Sequence, residues 1–408
     1  MKNFYSLNQF LRLWMGIYIL LIAFPFPIQY IPILNLLTTY LYDIPKEWVV
    51  LFFGQKILGW EEISKIKLTG SGDTTFDFAF LAFAVVASVL VAGIIFLSKG
   101  SKSEYSNFYR WALLYARYFV GLSLFSYGAI KFWNGQFPGP NIGTMEVMYG
   151  DMSPMGLAWR FFGFSDTYKF FMGISEISAG LLILLPRTKV FGALLSIGVC
   201  LNIVLVNFSF DVPVKIFSSH LLFFSILIVL PYAKSLFELF FLHKPAQLEK
   251  EQPYFRSKRG KIAWVIINFF FVGLISFGTL ANHLYFQLTF VPTHPWQGFY
   301  TEFKTESPFP FERLVIDDKA LSWGSESKIT KYFVIQKMDE NGLIVFASSI
   351  NEPNVNTLEV QETSNGEVLL VLNMDNQTFK AQAKRKKKEE YPLIQRGFNL
   401  IQEYPYNR

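Results

Sequence analysis

The chain has 408 residues, of which 52% are hydrophobic, 18% are aromatic and only 17% are charged, with a formal net charge of +6. The mean hydropathy is positive, which excludes an ordinary soluble globular protein. The basic residues lie beside apolar runs, as they do in the loops of membrane proteins, so we expect membrane lipid as a partner and no nucleic acid.

Seven apolar runs are long enough to cross a hydrocarbon core of about 30 Å. They predict an α-helical integral membrane bundle of about seven transmembrane helices, over residues 10–29, 77–97, 111–131, 167–185, 190–207, 216–233 and 262–282. The first run lacks the small-x-small site that signal-peptide cleavage requires, so we interpret it as an anchor.

The loops predict an orientation in a bacterial cytoplasmic (inner) membrane. Alternate loops carry 14 Lys and Arg residues on one side and six on the other. Positive loops stay in the cytoplasm, which places the N-terminus there. An odd number of crossings then makes residues 283–408 extracytoplasmic.

Four segments differ in composition. Residues 1–109 hold the first two helices and an extracytoplasmic loop with an interfacial helix at 46–58. Residues 110–233 hold the next four helices, and residues 234–295 hold a basic cytoplasmic loop and the seventh helix. The loop at 134–166 mixes Gly, Pro, Met and aromatic residues, and we expect it to pack onto the bundle.

The last segment, 296–408, predicts a small antiparallel β domain. Two stretches, "KYFVIQKMDENGLIVFAS" and "TLEVQETSNGEVLLVLNM", each set two alternating apolar runs around an Asn-Gly pair. Asn-Gly between such runs is a strong hairpin signal. The basic run "KRKKKEE" at 384–390 is typical of a solvated loop or edge strand.

The third and fourth predicted helices each carry a stripe of small and polar residues. On the third helix, spacings of four and three residues align Arg117, Gly121, Leu124, Gly128 and Lys131. On the fourth helix, Gly173, Glu176 and Gly180 lie on one face in the same way. Because small residues let membrane helices approach and polar ones turn inward, we expect the two stripes to face each other.

Glu176 lies near the predicted midplane, where a charge is costly and needs a partner or a function. Arg117 is the expected partner, since its long side chain can climb toward that depth; Lys131 either reaches down or extends to the headgroups. An ion pair of this kind is one interpretation. A ligand pocket open to the outside is the other.

Further polar residues accumulate in the outer half of the predicted bundle. Those within the helices are Tyr127, Asn202 and His220, and those on the extracytoplasmic loops are Asp73, Asp151, Asp211 and Lys215. His220 and His283 lie at similar depths, which would suit a bis-histidine haem, but the absence of a deeper pair favours hydrogen-bonded interface residues. We predict no metal site. Cys200 is the single cysteine, so a self-contained dithiol reaction is implausible.

Three stretches resemble the DoxX-like family of bacterial inner-membrane proteins: "RYFVGLSLFSYGAIKFW" at 117–133, "GISEISAGLLILLPRTKVFGALLSIGV" at 173–199 and "HLLFFSILIVL" at 220–230. The motifs "GSGDTTFD", "YGDMSPMGLAWRF", "NFSFDVPVK" and "RGFNLIQEYPYNR" resemble long DoxX-annotated proteins of Bacteroidota-type bacteria. The resemblance implies a DoxX-like four-helix core over 110–233 and carries over Arg117, Lys131 and Glu176 as family-type positions. It also implies an association with quinone- or thiol-linked membrane redox systems.

Three hypotheses follow. The first is a subunit or relative of such a redox system, with quinone as the expected ligand of the outer pocket and an envelope or redox protein as partner. The second is a non-enzymatic scaffold or assembly factor whose β domain binds an envelope partner. The third is a proton-coupled carrier for a small solute or lipid, with Glu176 as the titrating group. No catalytic motif in the sequence identifies a reaction.

Overall fold

A computed structural model gives the structure of most of the chain. It describes residues 2–63, 70–99, 105–132, 136–245, 247–248, 254–255, 257–289, 295–305, 309–317, 320–325, 329–339, 341–349, 356–363, 366–397, 399 and 402.

Seven helical segments in the described part of the chain are long and apolar enough to cross a membrane, the architecture of a multi-pass membrane protein. They are α1 (Lys2–Ala23), α4 (Thr75–Lys99), α5 (Ser106–Lys131), α8 (Asp166–Leu184), α9 (Lys189–Ser209), α10 (Lys215–Val229), which a short turn joins to α11 (Ala233–Leu242), and α12 (Lys258–Thr289). Each predicted span falls on one of these segments, so the prediction of seven helices is confirmed.

Shorter helices connect the spans. They are α2 (Pro32–Thr38), α3 (Ile44–Phe52), α6 (Ile142–Met145) and α7 (Pro154–Phe164). The segment expected as an interfacial helix at 46–58 forms α3 and the π-helical turn Phe53–Ile57 that continues it. It is therefore helical, as its pattern predicts.

The chain divides into two compact units. The first unit comprises Met1–Phe137 and Pro154–Ala281, and the second comprises Pro138–Ser153 and Asn282–Arg408. The expectation that the whole 134–166 loop packs onto the bundle is therefore wrong for its first half. Residues 138–153 belong to the β unit instead.

The reason is a matched apolar and ionic contact within that second unit. Ile142 on α6 is 1% exposed and packs with Phe299 and Val315. Glu146, which follows α6, accepts from Arg313 at 2.8 Å and from the Tyr391 hydroxyl at 2.6 Å. Burial, and then the hydrogen bond to Glu146, raise the pKa of Tyr391. These contacts fix residues 138–153 on the β unit.

The helices α5 and α8 form the centre of the first unit, and their glycines allow the close approach. A Cβ at Gly128 would lie 2.7 Å from the carbonyl oxygen of Gly173, and one at Gly180 would lie 2.5 Å from that of Gly121. No side chain fits those gaps, so the two predicted stripes face each other as expected.

The second unit is a closed antiparallel barrel of eight strands in sequence order, in which β8 pairs with β1. Its strands are β1 (Gly298–Lys304), β2 (Arg313–Ile316), β3 (Ala320–Gly324), β4 (Ile329–Met338), β5 (Leu343–Ala347), β6 (Asn356–Glu362), β7 (Val368–Met374) and β8 (Gln377–Lys386). The short helix α13 (Pro392–Gln395) follows. The predicted antiparallel β domain is confirmed, and closure of the sheet removes its edges.

Both predicted hairpins are present as β4–β5 and β6–β7. Gly342 and Gly366 adopt φ values of 90° and 76°, which side chains rarely allow. Inward residues of β7, such as Leu370 and Leu372, alternate with partly exposed ones and fill the barrel interior with the aromatic side chains of other strands. The basic run at 384–390 begins inside β8, which pairs on both sides, so its first three residues do not lie on an edge strand. The other four residues follow the strand in a largely exposed turn, as their charge suggests.

Candidate functional site

A cavity of about 640 Å³ opens within the first unit, between α5, α7, α8, α9 and α10. It lies where α5 ends and α8 begins, which we call the Lys131 end of the bundle. Its walls are mainly apolar. Its polar lining comprises Tyr127, Lys131, Gln136, Tyr168, Ser175, Glu176, Asn202, Asn207 and Ser218.

The centre of this site is an ion pair between Lys131 and Glu176. The Lys131 Nζ lies 2.7 Å from Glu176 Oε2, and each side chain is only 5% exposed. Lys131 also donates to the Tyr127 carbonyl at 3.3 Å, and its Nζ lies 5.6 Å from the centre of the Phe137 ring. The lysine therefore turns into the bundle rather than toward the membrane surface.

The expected pairing of Glu176 with Arg117 is wrong. Arg117 precedes Lys131 by 14 residues on α5, which is about 21 Å along a helix. Because Gly128 packs against Gly173, the last turns of α5 lie beside the first half of α8. That offset brings Lys131, not Arg117, within reach of Glu176.

Arg117 lies instead toward the opposite end of the bundle, where α5 begins and α8 ends, which we call the Ser106 end. It is 2% exposed, and its guanidinium lies 6.0 Å from the centre of the Trp264 ring on α12. It lines a separate, smaller pocket there. The sequence-predicted cluster is thus divided between two places.

His220 does not line the cavity. Its Nε2 lies 2.8 Å from the Tyr18 hydroxyl on α1, and its Nδ1 lies 2.7 Å from the Ile216 carbonyl oxygen. Both ring nitrogens have hydrogen-bond partners, which agrees with an interface histidine. The side chain of His283 lies outside the described residues, and so does the haem hypothesis that depends on it.

Asp73 stabilises the N-terminus of α10. Its carboxylate accepts from the backbone N–H groups of Lys215 at 2.7 Å and Ile216 at 2.9 Å, the first donors of that helix. Val214, the residue before α10, provides no side-chain cap, so Asp73 serves as one from a distant loop. The predicted loop residue therefore has a structural role.

The other predicted loop residues, Asp151, Asp211 and Lys215, lie in two different places. The Lys215 Nζ lies 2.8 Å from Asp211 and 3.9 Å from Asp73, so these three form one charged group at the start of α10. Asp211 is 83% exposed and adopts a φ of 51°. Asp151 belongs to the second unit and is exposed there.

The sequence did not identify three polar residues of this region, Gln136, Ser175 and Asn207. Gln136 lines the cavity with a buried Oε1 that has no hydrogen-bond partner in the part of the chain that the structure describes. The Ser175 hydroxyl bonds to the Phe171 carbonyl at 2.7 Å, and Asn207 donates to Ser218 at 3.0 Å. Gln136 follows the end of the helix and Ser175 is next to Glu176, so a search of neighbours and loop ends would have included both.

Lys169 is also buried, with 3% exposure, near the Lys131 end. Its Nζ lies 2.7 Å from Asp166 and 3.5 Å from the Phe137 carbonyl oxygen. A second amine therefore lies beside the first, with an exposed carboxylate as partner.

This arrangement can hold a molecule with a polar head and an apolar body. Lys131 and the Tyr127 hydroxyl can donate, whereas Glu176 and Gln136 Oε1 can accept. Within the described residues, no group of three or more His, Cys, Asp or Glu side chains is placed to hold a metal ion.

No family model matches the chain, and no solved structure matches it. A stretch of 106 residues, 26% of this chain, is 38% identical to the uncharacterized protein YwoB of Bacillus subtilis (strain 168) and covers 67% of that protein. At that identity and coverage, the chain belongs to the same family as YwoB.

Proposed function

We propose that this chain is a DoxX-like inner-membrane protein that binds a quinone in the cavity at the Lys131 end, as a subunit or relative of a membrane redox system. The observation that carries the proposal is the buried Lys131–Glu176 pair inside an apolar-walled cavity. The resemblance to DoxX-like proteins, with their association with such systems, supports it.

The shape and chemistry of the cavity suit this class of ligand. A volume of about 640 Å³ falls within the roughly 300–1,000 Å³ of small-molecule sites. Apolar walls such as Leu194, Ile203 and Val206 offer contacts for an isoprenoid tail. Quinone carbonyls accept hydrogen bonds, which Lys131 and Tyr127 can supply.

The ion pair gives the site a means of holding a proton. A bound quinone would supply a carrier of two electrons and two protons. Glu176 is an acceptor within 2.7 Å of a donor ammonium, so a proton can pass between these groups without leaving the site. The electrons would come from a partner protein, since the single cysteine Cys200 is buried and cannot form a dithiol.

The proposed orientation places the cavity near the outer surface. With the N-terminus in the cytoplasm, α5 is the third crossing and ends outside. A quinone bound there would exchange its protons with the extracytoplasmic side, which fits the polar loops around the opening.

Tryptophan fluorescence tests the proposal, because Trp159 lines the cavity. We expect a short-chain quinone to quench the purified protein saturably, and Trp159→Phe to remove most of the saturable signal. Glu176→Gln and Lys131→Met should each weaken binding about tenfold or more, the usual result of losing a charged hydrogen bond. The exposed Lys56→Met is the matched control and should bind as the wild type does.

Two outcomes would contradict the proposal. One is quenching that never saturates, and the other is unchanged affinity in both cavity variants when they fold as the wild type does. Uptake of a solute that depends on pH and on Glu176 would favour the carrier hypothesis instead. A co-purifying envelope protein that binds the barrel, without quinone binding, would favour the scaffold hypothesis.

A further inference from the structure

The cavity that holds the Lys131–Glu176 pair has a lateral opening, between α8 and α9. Four residues that line the cavity are also exposed on these two helices: Tyr168 and Phe171 on α8, and Gly198 and Asn202 on α9. Phe171 is 59% exposed and Tyr168 is 41% exposed. This wall of the cavity is therefore incomplete.

The outer surface of the bundle begins directly beside this wall. Leu201 and Leu205 on α9 are 46% and 57% exposed and lie outside the lining of the cavity. They follow Gly198 and Asn202 by three residues, so the four lie next to one another on the surface of the helix. Gly198 and Asn202 thus form the edge at which the cavity meets the surface of the bundle.

Separation of α8 and α9 creates the lateral opening. The two helices touch at Gly192, where a Cβ would lie 2.3 Å from the backbone nitrogen of Ile183. Val199 and Ile203 follow Gly192 by seven and eleven residues, which places them on the same face of α9. Both line the cavity instead of packing on α8 as Gly192 does. The helices therefore diverge toward the Lys131 end.

The opening lies at the depth of the ion pair. Glu176 precedes Ile183 by seven residues on α8. Val199 follows Gly192, the contact of Ile183, by seven residues on α9. At an equal rise, both positions lie about 10 Å from that contact. The head of a ligand at Glu176 is thus level with the opening.

This depth is inside the hydrocarbon core. Gly198 follows the start of α9 at Lys189 by nine residues and precedes its end at Ser209 by eleven. These spacings correspond to about 14 and 17 Å of helix. An exposed position so far from both ends of a spanning helix faces lipid rather than water. The lateral opening therefore joins the cavity to the interior of the membrane.

Gly198 keeps the opening free of side-chain atoms on the α9 side. A Cβ there would have no atom within 4 Å, so a larger side chain would extend into open space. The apolar Leu194 and Leu195 lie on the neighbouring part of the wall, and the Phe171 ring lies on the α8 side. A flexible hydrocarbon chain would find apolar contacts along this path.

We propose that the tail of the bound quinone leaves the cavity through the lateral opening and lies in the hydrocarbon core. This inference rests on the proposed function and names its substrate class, a lipid-soluble quinone with a long apolar tail that arrives from the membrane. Gly198 is the residue that determines this specificity, because its missing side chain leaves room for the tail.

Fluorescence titration of the full-length protein in detergent tests the inference with two quinones that share one benzoquinone head. One carries a decyl chain, and the other carries a methyl group in its place. Trp159 reports both, since either head reaches the cavity that it lines. Gly198→Phe should weaken binding of the decyl quinone about tenfold or more, because several methylene groups lose their contacts. Binding of the methyl quinone should stay unchanged.

The matched control is Gly273→Phe on α12. Gly273 is also an exposed glycine of a spanning helix with no atom within 4 Å of a Cβ, and it lies outside the lining of the cavity. This variant should bind both quinones as the wild type does. Each comparison is made between variants with one ligand, so partition of the decyl chain into detergent affects all of them equally.

Thermal unfolding shows which variants count. Gly198→Phe must unfold within a few degrees of the wild type, and Gly198→Leu replaces it if it does not. Unchanged binding of the decyl quinone to the folded variant would overturn the inference and leave the quinone site intact. Equal loss of both quinones would also overturn it, since Gly198 would then border the head. Saturable binding of neither quinone to the wild type would refute the proposed function itself.

Discussion

Removing either member of the Lys131–Glu176 pair should destabilise the membrane-spanning unit. The two charged groups are 2.7 Å apart and each side chain is 5% exposed, so water cannot replace a lost partner. Breaking a buried pair costs about 3–5 kcal/mol, because an uncompensated charge is left behind. Lys131→Met and Glu176→Gln should each show a loss of this size.

The double variant Lys131→Met with Glu176→Gln should recover part of that loss. Its two neutral side chains have nearly the same volume as the originals and leave no charge in the apolar surroundings. The amide introduced at position 176 has lost its partner, which costs about 1–3 kcal/mol, so the recovery is incomplete. Thermal unfolding of purified protein, followed by fluorescence-detected size exclusion, measures all three variants. Lys56→Met, at an exposed lysine, controls for the loss of one positive charge.

The reasoning would be refuted if both single variants unfolded at the same temperature as the wild type, since the pair would then contribute nothing to the stability of the fold. It would also be refuted if the double variant were less stable than either single variant. In that case Lys131 and Glu176 would stabilise the bundle through separate contacts.

Other predictions address the rest of the structure. Gly180→Ala places a Cβ 2.5 Å from the Gly121 carbonyl oxygen and should lower the amount of folded protein in membranes. Gly93→Ala is the control, because a Cβ there has no atom within 4 Å, and it should leave that amount unchanged. Immunoblotting of membranes measures both variants. Glu146→Gln removes the negative charge that pairs with Arg313 and replaces one of the two accepting oxygens with an amide NH₂ group. It should raise amide hydrogen exchange over residues 138–153 about tenfold or more, which mass spectrometry detects. Unchanged exchange would mean that the apolar contacts suffice. Alkaline phosphatase fused after Arg408 should be active if the C-terminal unit is extracytoplasmic, and an active cytoplasmic reporter at that point would reverse the orientation.

Much of the fold could be predicted because its signals are local. Each spanning helix is one apolar run, and each of the two predicted hairpins is one Asn-Gly pair between alternating residues. The facing of α5 and α8 was also predictable, since Gly128 and Gly180 recur at helical spacing and leave room for a second backbone.

The rest depends on contacts between distant segments. Counting residues from a membrane surface gave the depth of Glu176 but not the axial offset between two helices, so it favoured Arg117 over Lys131. Closure of the barrel by β1 and β8, and the packing of residues 138–153 on it, join residues far apart in sequence. The same is true of Asp73, which caps a helix more than 140 residues away.

Photoaffinity labelling with an azido-substituted quinone tests the proposed function most directly. The account predicts that labelled peptides come from the walls of the cavity, such as those holding Trp159, Glu176 and Asn202, and that excess unmodified quinone prevents the labelling. Labelling should also fall in folded Glu176→Gln protein. Label spread over the exposed faces of all seven helices, unaffected by competitor, would contradict a quinone site in this cavity.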